Sequence, residues 1–212
     1  MDIPFTTEQF FEVIRNYNQA VFPAQVVILL LGIASIFLLH SGERVKNRFI
    51  GVFLGVLWIW TGIVYHLIFF TSINPAAYGF GALFVIQGIL FLVHTFRDKL
   101  EFELKSSTAG IIGVFFILFG LLFYPVLIYF LEHAWLTTIT VGLPCPSTIA
   151  TFGFLILTSS QFPKHLLLIP SIWTVIGISA ALNFGVYPDY MMPVSALIAL
   201  IYLIRRRKPE VH

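Results

Sequence analysis

The sequence predicts an all-α, polytopic membrane protein of seven transmembrane helices, with its N-terminus outside and its C-terminus in the cytoplasm. Three observations carry this. Of 212 residues 58% are hydrophobic and only 10% charged, with a mean hydropathy of +0.94. A soluble domain carries about 25% charged residues, so this chain cannot clothe itself in polar groups and its excess apolar surface belongs against lipid. Apolar runs long enough for a hydrocarbon core of ~30 Å recur along the chain. Finally, eleven of the twelve Lys and Arg residues fall on alternate connections between those runs, and the positive-inside rule places those connections in the cytoplasm.

The elements follow in order. Residues 1–21 form an extracytoplasmic segment in which Thr7 and the stretch Glu8-Gln9-Phe10-Phe11 open a short amphipathic helix. Phe10, Phe11, Ile14 and Tyr17 share one face at helical spacing, which predicts an anchor lying in the membrane interface, with a lid over a site as the alternative. The first 20 residues contain no basic stretch leading into an apolar core, so no signal peptide is expected. Residues 22–204 form the transmembrane domain, with spans at 22–40, 49–70, 76–96, 108–131, 146–160, 165–183 and 190–204. Backbone polar groups in lipid must be satisfied within their own segment, so these spans are helices. The fifth is short, and "GLPCP" before it reads as a helix start or as the break in a discontinuous helix. "INPAAYG" places Asn74 as an N-cap and Pro75 at a first helical position. Residues 205–212 are a basic cytoplasmic tail.

Orientation sorts the chemistry. His40, His94 and His165 fall at inner helix ends, beside the basic loops. At the outer level lie Tyr65, His66, Asn74, Tyr129, His133, Cys145, Asn183 and Asp189, the candidates for an outward-facing polar pocket. Tyr129 and His133 are four residues apart and share a helix face. Cys145 stands between Pro144 and Pro146, and Pro146 at a first helical position makes Cys145 the N-cap. A thiol at the positive end of a helix suits a thiolate, the form that binds metal or attacks an electrophile; a buried packing cysteine is the plainer reading. His66, His133 and Cys145 would make an N/N/S set suited to zinc or copper. Packing and hydrogen bonding between helices is the alternative for both histidines. The four Trp and most of the Phe residues read as interface belt and lipid-facing packing, and Gln87 as an interhelical hydrogen bond.

Several classes are disfavoured. A net charge of +2 gives no footprint for nucleic acid. One cysteine excludes an intramolecular disulfide and a multi-cysteine zinc site. The last span has no lysine for a retinal Schiff base, and neither GxSxG nor a P-loop occurs.

Four stretches, "IPFTTEQFFEVIRNYNQAVFPAQ", "LWIWTGIVYHLIFFTSINPAAYGFG", "GLPCPSTIATFG" and "LLLIPSIWTVIGISAALNFGV", resemble the bacterial membrane family known as domain of unknown function 6064. The resemblance covers nearly the whole chain and implies a multi-pass protein of the bacterial plasma (inner) membrane, with the lipid bilayer as partner. It implies no activity and assigns no residue a role. Three functions stay open: a protein binding or transporting a small solute or metal ion, a membrane enzyme using Cys145 as nucleophile or metal ligand, and an accessory subunit.

Overall fold

The structure is a computed structural model that describes residues 4–132, 135–159 and 162–205. Among them there is no β-strand, and eight helices account for nearly everything. The first, α1 (Thr7–Val21), starts one residue earlier than the sequence suggests. Thr6 is the N-cap: its Oγ1 accepts from Gln9 N at 3.3 Å, and Gln9 Oε1 accepts from Thr6 N at 2.9 Å, a reciprocal pair that uses two otherwise orphaned donors. Hydrogen bonds from its own backbone N–H and from the Thr6 hydroxyl hold the Glu8 carboxyl below the usual range.

At Phe22-Pro23 the chain turns by 83° into α2 (Ala24–Leu38). That bend corrects the expected place of α1. Phe10, Val13, Ile14 and Tyr17 are buried by the protein itself, so the aromatic face rests on the end of the helix bundle rather than on lipid. In contrast α2 buries only Gly32 and Ser35 and stands at the periphery.

The next two helices form a hairpin. α3 (Glu43–Ser72) is α-helical to Trp60, π-helical over Thr61–Phe69, and closes with a 3-10 turn. It packs on α4 (Ala77–Phe96) through paired glycines. A Cβ at Gly88 would stand 2.6 Å from the Gly55 carbonyl oxygen, and one at Gly62 would stand 2.9 Å from that of Gly81. Only hydrogen side chains allow this backbone approach, which in lipid supplies the van der Waals contact that hydrophobicity cannot. Asn74 is not the N-cap of α4: its Oδ1 accepts from Ala76 N at 3.0 Å in a turn just ahead of the helix.

α5 (Thr108–Leu131) is capped by Ser107, whose Oγ accepts from Gly110 N at 3.4 Å. Its π stretch, Phe119–Phe123, lies directly before Tyr124-Pro125. Pro125 has no N–H to give and its ring crowds the preceding carbonyls, and the wider turn accommodates both problems.

α6 (Pro144–Ile156) corrects the predicted fifth span. It begins two residues earlier and ends four earlier, and its 13 residues rise only about 20 Å, short of a hydrocarbon core. Every residue except Cys145 is buried, with α3, α5, α7 and α8 around it. Gly153 meets Gly113 of α5, where a Cβ would lie 2.6 Å from the Gly113 carbonyl oxygen. A helix that ends inside a bundle needs partners for its last carbonyls. Lys105 Nζ provides them, donating to Ile156 O at 2.9 Å and Thr158 O at 2.6 Å. Glu103 N donates to Leu157 O at 2.8 Å, and Ser159 N to Glu101 O at 2.8 Å. On the side of α6, Trp58 Nε1 donates to Thr151 Oγ1 at 2.9 Å.

α7 (Lys164–Phe184) ends at Gly185, whose φ of 71° is the left-handed cap that glycine tolerates. α8 (Tyr187–Arg205) completes the fold. Gln87 joins α4 to α7 by donating to Leu166 O at 3.0 Å. By length and apolarity α3, α4, α5, α7 and α8 can each cross a membrane, and the bent α1–α2 pair raises that number to six at most.

Candidate functional site

One buried cluster of polar side chains centres on Asp189. Asp189 opens α8 in a 3-10 turn and is buried, 1% exposed. The Tyr124 hydroxyl donates to its Oδ1, and the thiol of Cys145 lies against the same carboxyl. Among the described residues no basic side chain acts on Asp189. Tyr65, buried on α3, is near enough to feel both Cys145 and Asp189 electrostatically. The indole N–H of Trp173, on α7, has the Cys145 sulfur beside it, a weak acceptor, and no other partner. Five helices thus contribute to one cluster: Tyr65, Tyr124, Cys145, Trp173 and Asp189.

Local structure explains how these side chains meet. The π-helical stretch of α3 carries Tyr65, and that of α5 delivers Tyr124. A π turn widens the helix and rotates the residues that follow it, which re-aims side chains without breaking the span. Leu143 is the N-cap of α6, not Cys145, so both Pro144 and Cys145 lie in the first turn. Pro144 needs no N–H partner there, and Cys145 is the one α6 residue left partly exposed.

His66 occupies a separate niche. Its ring is fully buried among Phe84 at 4.7 Å, Trp173 at 5.1 Å, Tyr65 at 5.1 Å, Phe80 at 5.9 Å and Phe70 at 6.0 Å between centroids. Among the described residues neither ring nitrogen has a hydrogen-bond partner. Leaving a buried donor and acceptor unmade costs about 1–3 kcal/mol each, so this imidazole is an expensive feature to keep. It makes no hydrogen bond to Cys145 that would prepare the thiol as a nucleophile.

A roof covers the cluster. Tyr17 of α1 meets Tyr65 edge-on at 5.8 Å and donates to Gly142 O at 3.2 Å. Trp60 Nε1 donates to Tyr17 Oη at 2.8 Å, and Thr61 Oγ1 also donates to Gly142 O, at 3.2 Å. Gly142, with φ of 101°, turns the chain into α6, and its N–H is taken by Ser147 Oγ at 3.0 Å. Asn18 Nδ2 holds the same segment through Leu136 O at 2.8 Å and Thr138 O at 2.9 Å. Beside the roof, a cavity of about 560 Å³ is lined by Glu8, Glu12, Arg15, Thr137 and Phe184, among others.

The remaining candidates lie elsewhere. Tyr129 is exposed, its ring 5.8 Å from that of Phe130; Asn183 is exposed, its Nδ2 donating to Ser179 O at 2.7 Å. Asn74 serves the turn before α4. His133 lies outside the described residues, so the proposed His66–His133–Cys145 set has no geometry here. Among the described residues no three His, Cys, Asp or Glu side chains come together to hold a metal ion.

A model of the family of unknown function DUF6064 matches residues 7–211. The chain belongs to the DUF6064 family. No curated protein and no solved structure matches this DUF6064 chain. Two members of the cluster escaped the sequence reading. Tyr124 sits inside an unbroken apolar run, and Trp173 looks like any interface tryptophan. The only local signal was the Tyr124-Pro125 pair in mid-span, where a proline marks altered helix geometry.

Proposed function

We propose that this DUF6064 protein is a seven-span protein of the bacterial inner membrane, N-terminus outside and C-terminus cytoplasmic, that binds or transports a small cation or cationic solute in an outward-facing pocket around Asp189. One observation carries the reading: a buried carboxyl, placed among α5, α6 and α8, has no basic side chain acting on it among the described residues. A carboxyl in that position is costly, and in membrane proteins such groups mark ion and substrate paths. Tyr124 and Cys145 supply neutral donors that orient it. Cys145 and Asp189 also offer one sulfur and one oxygen to a soft or borderline metal such as copper or zinc. The seven-span count takes α2 as the first span and α6, enclosed by its neighbours, as the fifth.

The test is a cation panel on detergent-purified protein: thermal unfolding with Na⁺, K⁺, Zn²⁺ and Cu⁺ added singly, together with elemental analysis of the protein as isolated. One cation should raise the unfolding midpoint in proportion to the logarithm of its concentration, and Asp189→Asn should abolish the rise. A panel without effect, or a rise unchanged in Asp189→Asn, overturns the reading. For orientation, a reporter active only outside the cytoplasm should work when fused before Phe22 and fail when fused after His212.

A further inference from the structure

A separate cavity shares none of its lining residues with the Asp189 cluster. A groove of about 650 Å³ runs between α2 and α3, walled by Leu31, Val52, Val56 and Trp60, with Arg44 and Arg48 at its basic end. The wall is almost wholly apolar. Along α3 it extends from Arg44 to Trp60, about 24 Å at the helical rise, more than one leaflet of a hydrocarbon core of ~30 Å. α2 buries only Gly32 and Ser35 fully, and its half-buried Ile28 and exposed Leu31 form one side of the groove.

Arg48 makes the groove more than a gap filled by solvent lipid. Its side chain is half-buried, and its Nε is enclosed with no hydrogen-bond partner among the described residues. A guanidinium is always charged, and its planar fork of donors matches phosphate oxygens. Arg44 stands one helical turn away and lines the same groove. Arg44 also borders a polar hollow with Glu43, Asp98 and Glu101, so Arg48 is the arginine with the clearer need of an anion.

We propose that this groove is a binding site for an anionic phospholipid of the surrounding leaflet, one acyl chain lying between α2 and α3 and the phosphate seated on Arg48 and Arg44. The inference rests on the membrane reading but is independent of the Asp189 site and of the span count. Charge complementarity selects the occupant: an apolar partner would satisfy the wall and leave the positive charge of Arg48 at its end unmatched, whereas an anionic lipid satisfies both. Basic pockets at the ends of membrane helices hold lipid headgroups by this combination.

The experiment is native mass spectrometry of the full chain released from detergent, after incubation with phosphatidylglycerol or phosphatidylcholine of identical acyl chains. The wild type should retain phosphatidylglycerol in preference, and each arginine removed, Arg48→Gln and then Arg44→Gln, should lower that preference about fivefold. Val52→Trp, which fills the groove and leaves both arginines in place, should reduce retention of both lipids. Should that variant fold poorly, Val56→Phe is the milder replacement. Equal retention of the two lipids, or a preference that survives the double arginine variant, overturns the proposal. A dimer that Val52→Trp dissociates would also overturn it, since a second copy would then be the occupant.

Discussion

The Tyr124 hydroxyl of α5 donates to the Asp189 carboxyl of α8 inside the bundle, and among the described residues no basic side chain acts on Asp189. If this bond orients a carboxyl otherwise left bare, Tyr124→Phe should lower stability by about 1–3 kcal/mol, the cost of an unmet buried charge-bearing group. Asp189→Asn should cost less, because an amide oxygen still accepts from Tyr124. Thermal unfolding of the two single variants and the double variant gives the coupling directly, and additive losses would show the bond to be incidental.

The α3–α4 contact makes a contrast within one helix. Gly88→Ala places a Cβ 2.6 Å from the Gly55 carbonyl oxygen and should cost about 1–3 kcal/mol, because backbone rather than a flexible side chain must move. Gly79→Ala, on the same helix, meets nothing within 4 Å. It should be neutral or stabilise by up to about 1 kcal/mol through helix propensity. Equal effects in unfolding measurements would mean that the helices are not packed through their glycines.

Lys105 closes the end of α6 by donating to Ile156 O and Thr158 O, and its ammonium lies 5.5 Å from the centre of the Tyr202 ring. Lys105→Met keeps the length of the side chain and removes the donors, and should destabilise the protein by about 1.5–3 kcal/mol, the range for hydrogen bonds to a charged group. Hydrogen exchange should rise at residues 154–158 before it rises in α3 or α4. Uniform exchange across the helices would refute the assignment of Lys105 as the cap.

Cys145 follows the Gly142 turn that Tyr17 holds, and retains some exposure. A membrane-impermeant maleimide applied to intact cells should label it slowly. Tyr17→Ala cuts the Trp60–Tyr17–Gly142 string and should speed labelling about tenfold, equivalent to ~1.4 kcal/mol less cost of opening. Labelling that occurs only in inverted vesicles would reverse the proposed orientation.

Much of the architecture was written in the chain itself. Length and apolarity placed the helices at 49–70, 76–96, 108–131, 165–183 and 190–204 close to where they lie, because a helix in lipid must be apolar over a length the bilayer dictates. The vertical order of polar groups was legible too, since Tyr65, Cys145 and Asp189 each stand near a helix end that the loop charges assign to one side. What tertiary structure alone decided was which way each helix turns about its own axis and what covers it. Hydropathy is blind to this: a run faced by lipid and a run faced by other helices read alike, so residues 146–160 read as a lipid-facing run while α6 is a 13-residue helix enclosed by its neighbours. The aromatic face of α1 was equally plain, but the 83° bend at Pro23 turned it from lipid onto the bundle. Two π-helical stretches shifted the register ahead of Tyr124 and at Tyr65, so a 3.6-residue period could not bring Tyr124 to Asp189 or leave Tyr129 outside. Periodicity fixes height along a helix; only packing against neighbours fixes direction around it.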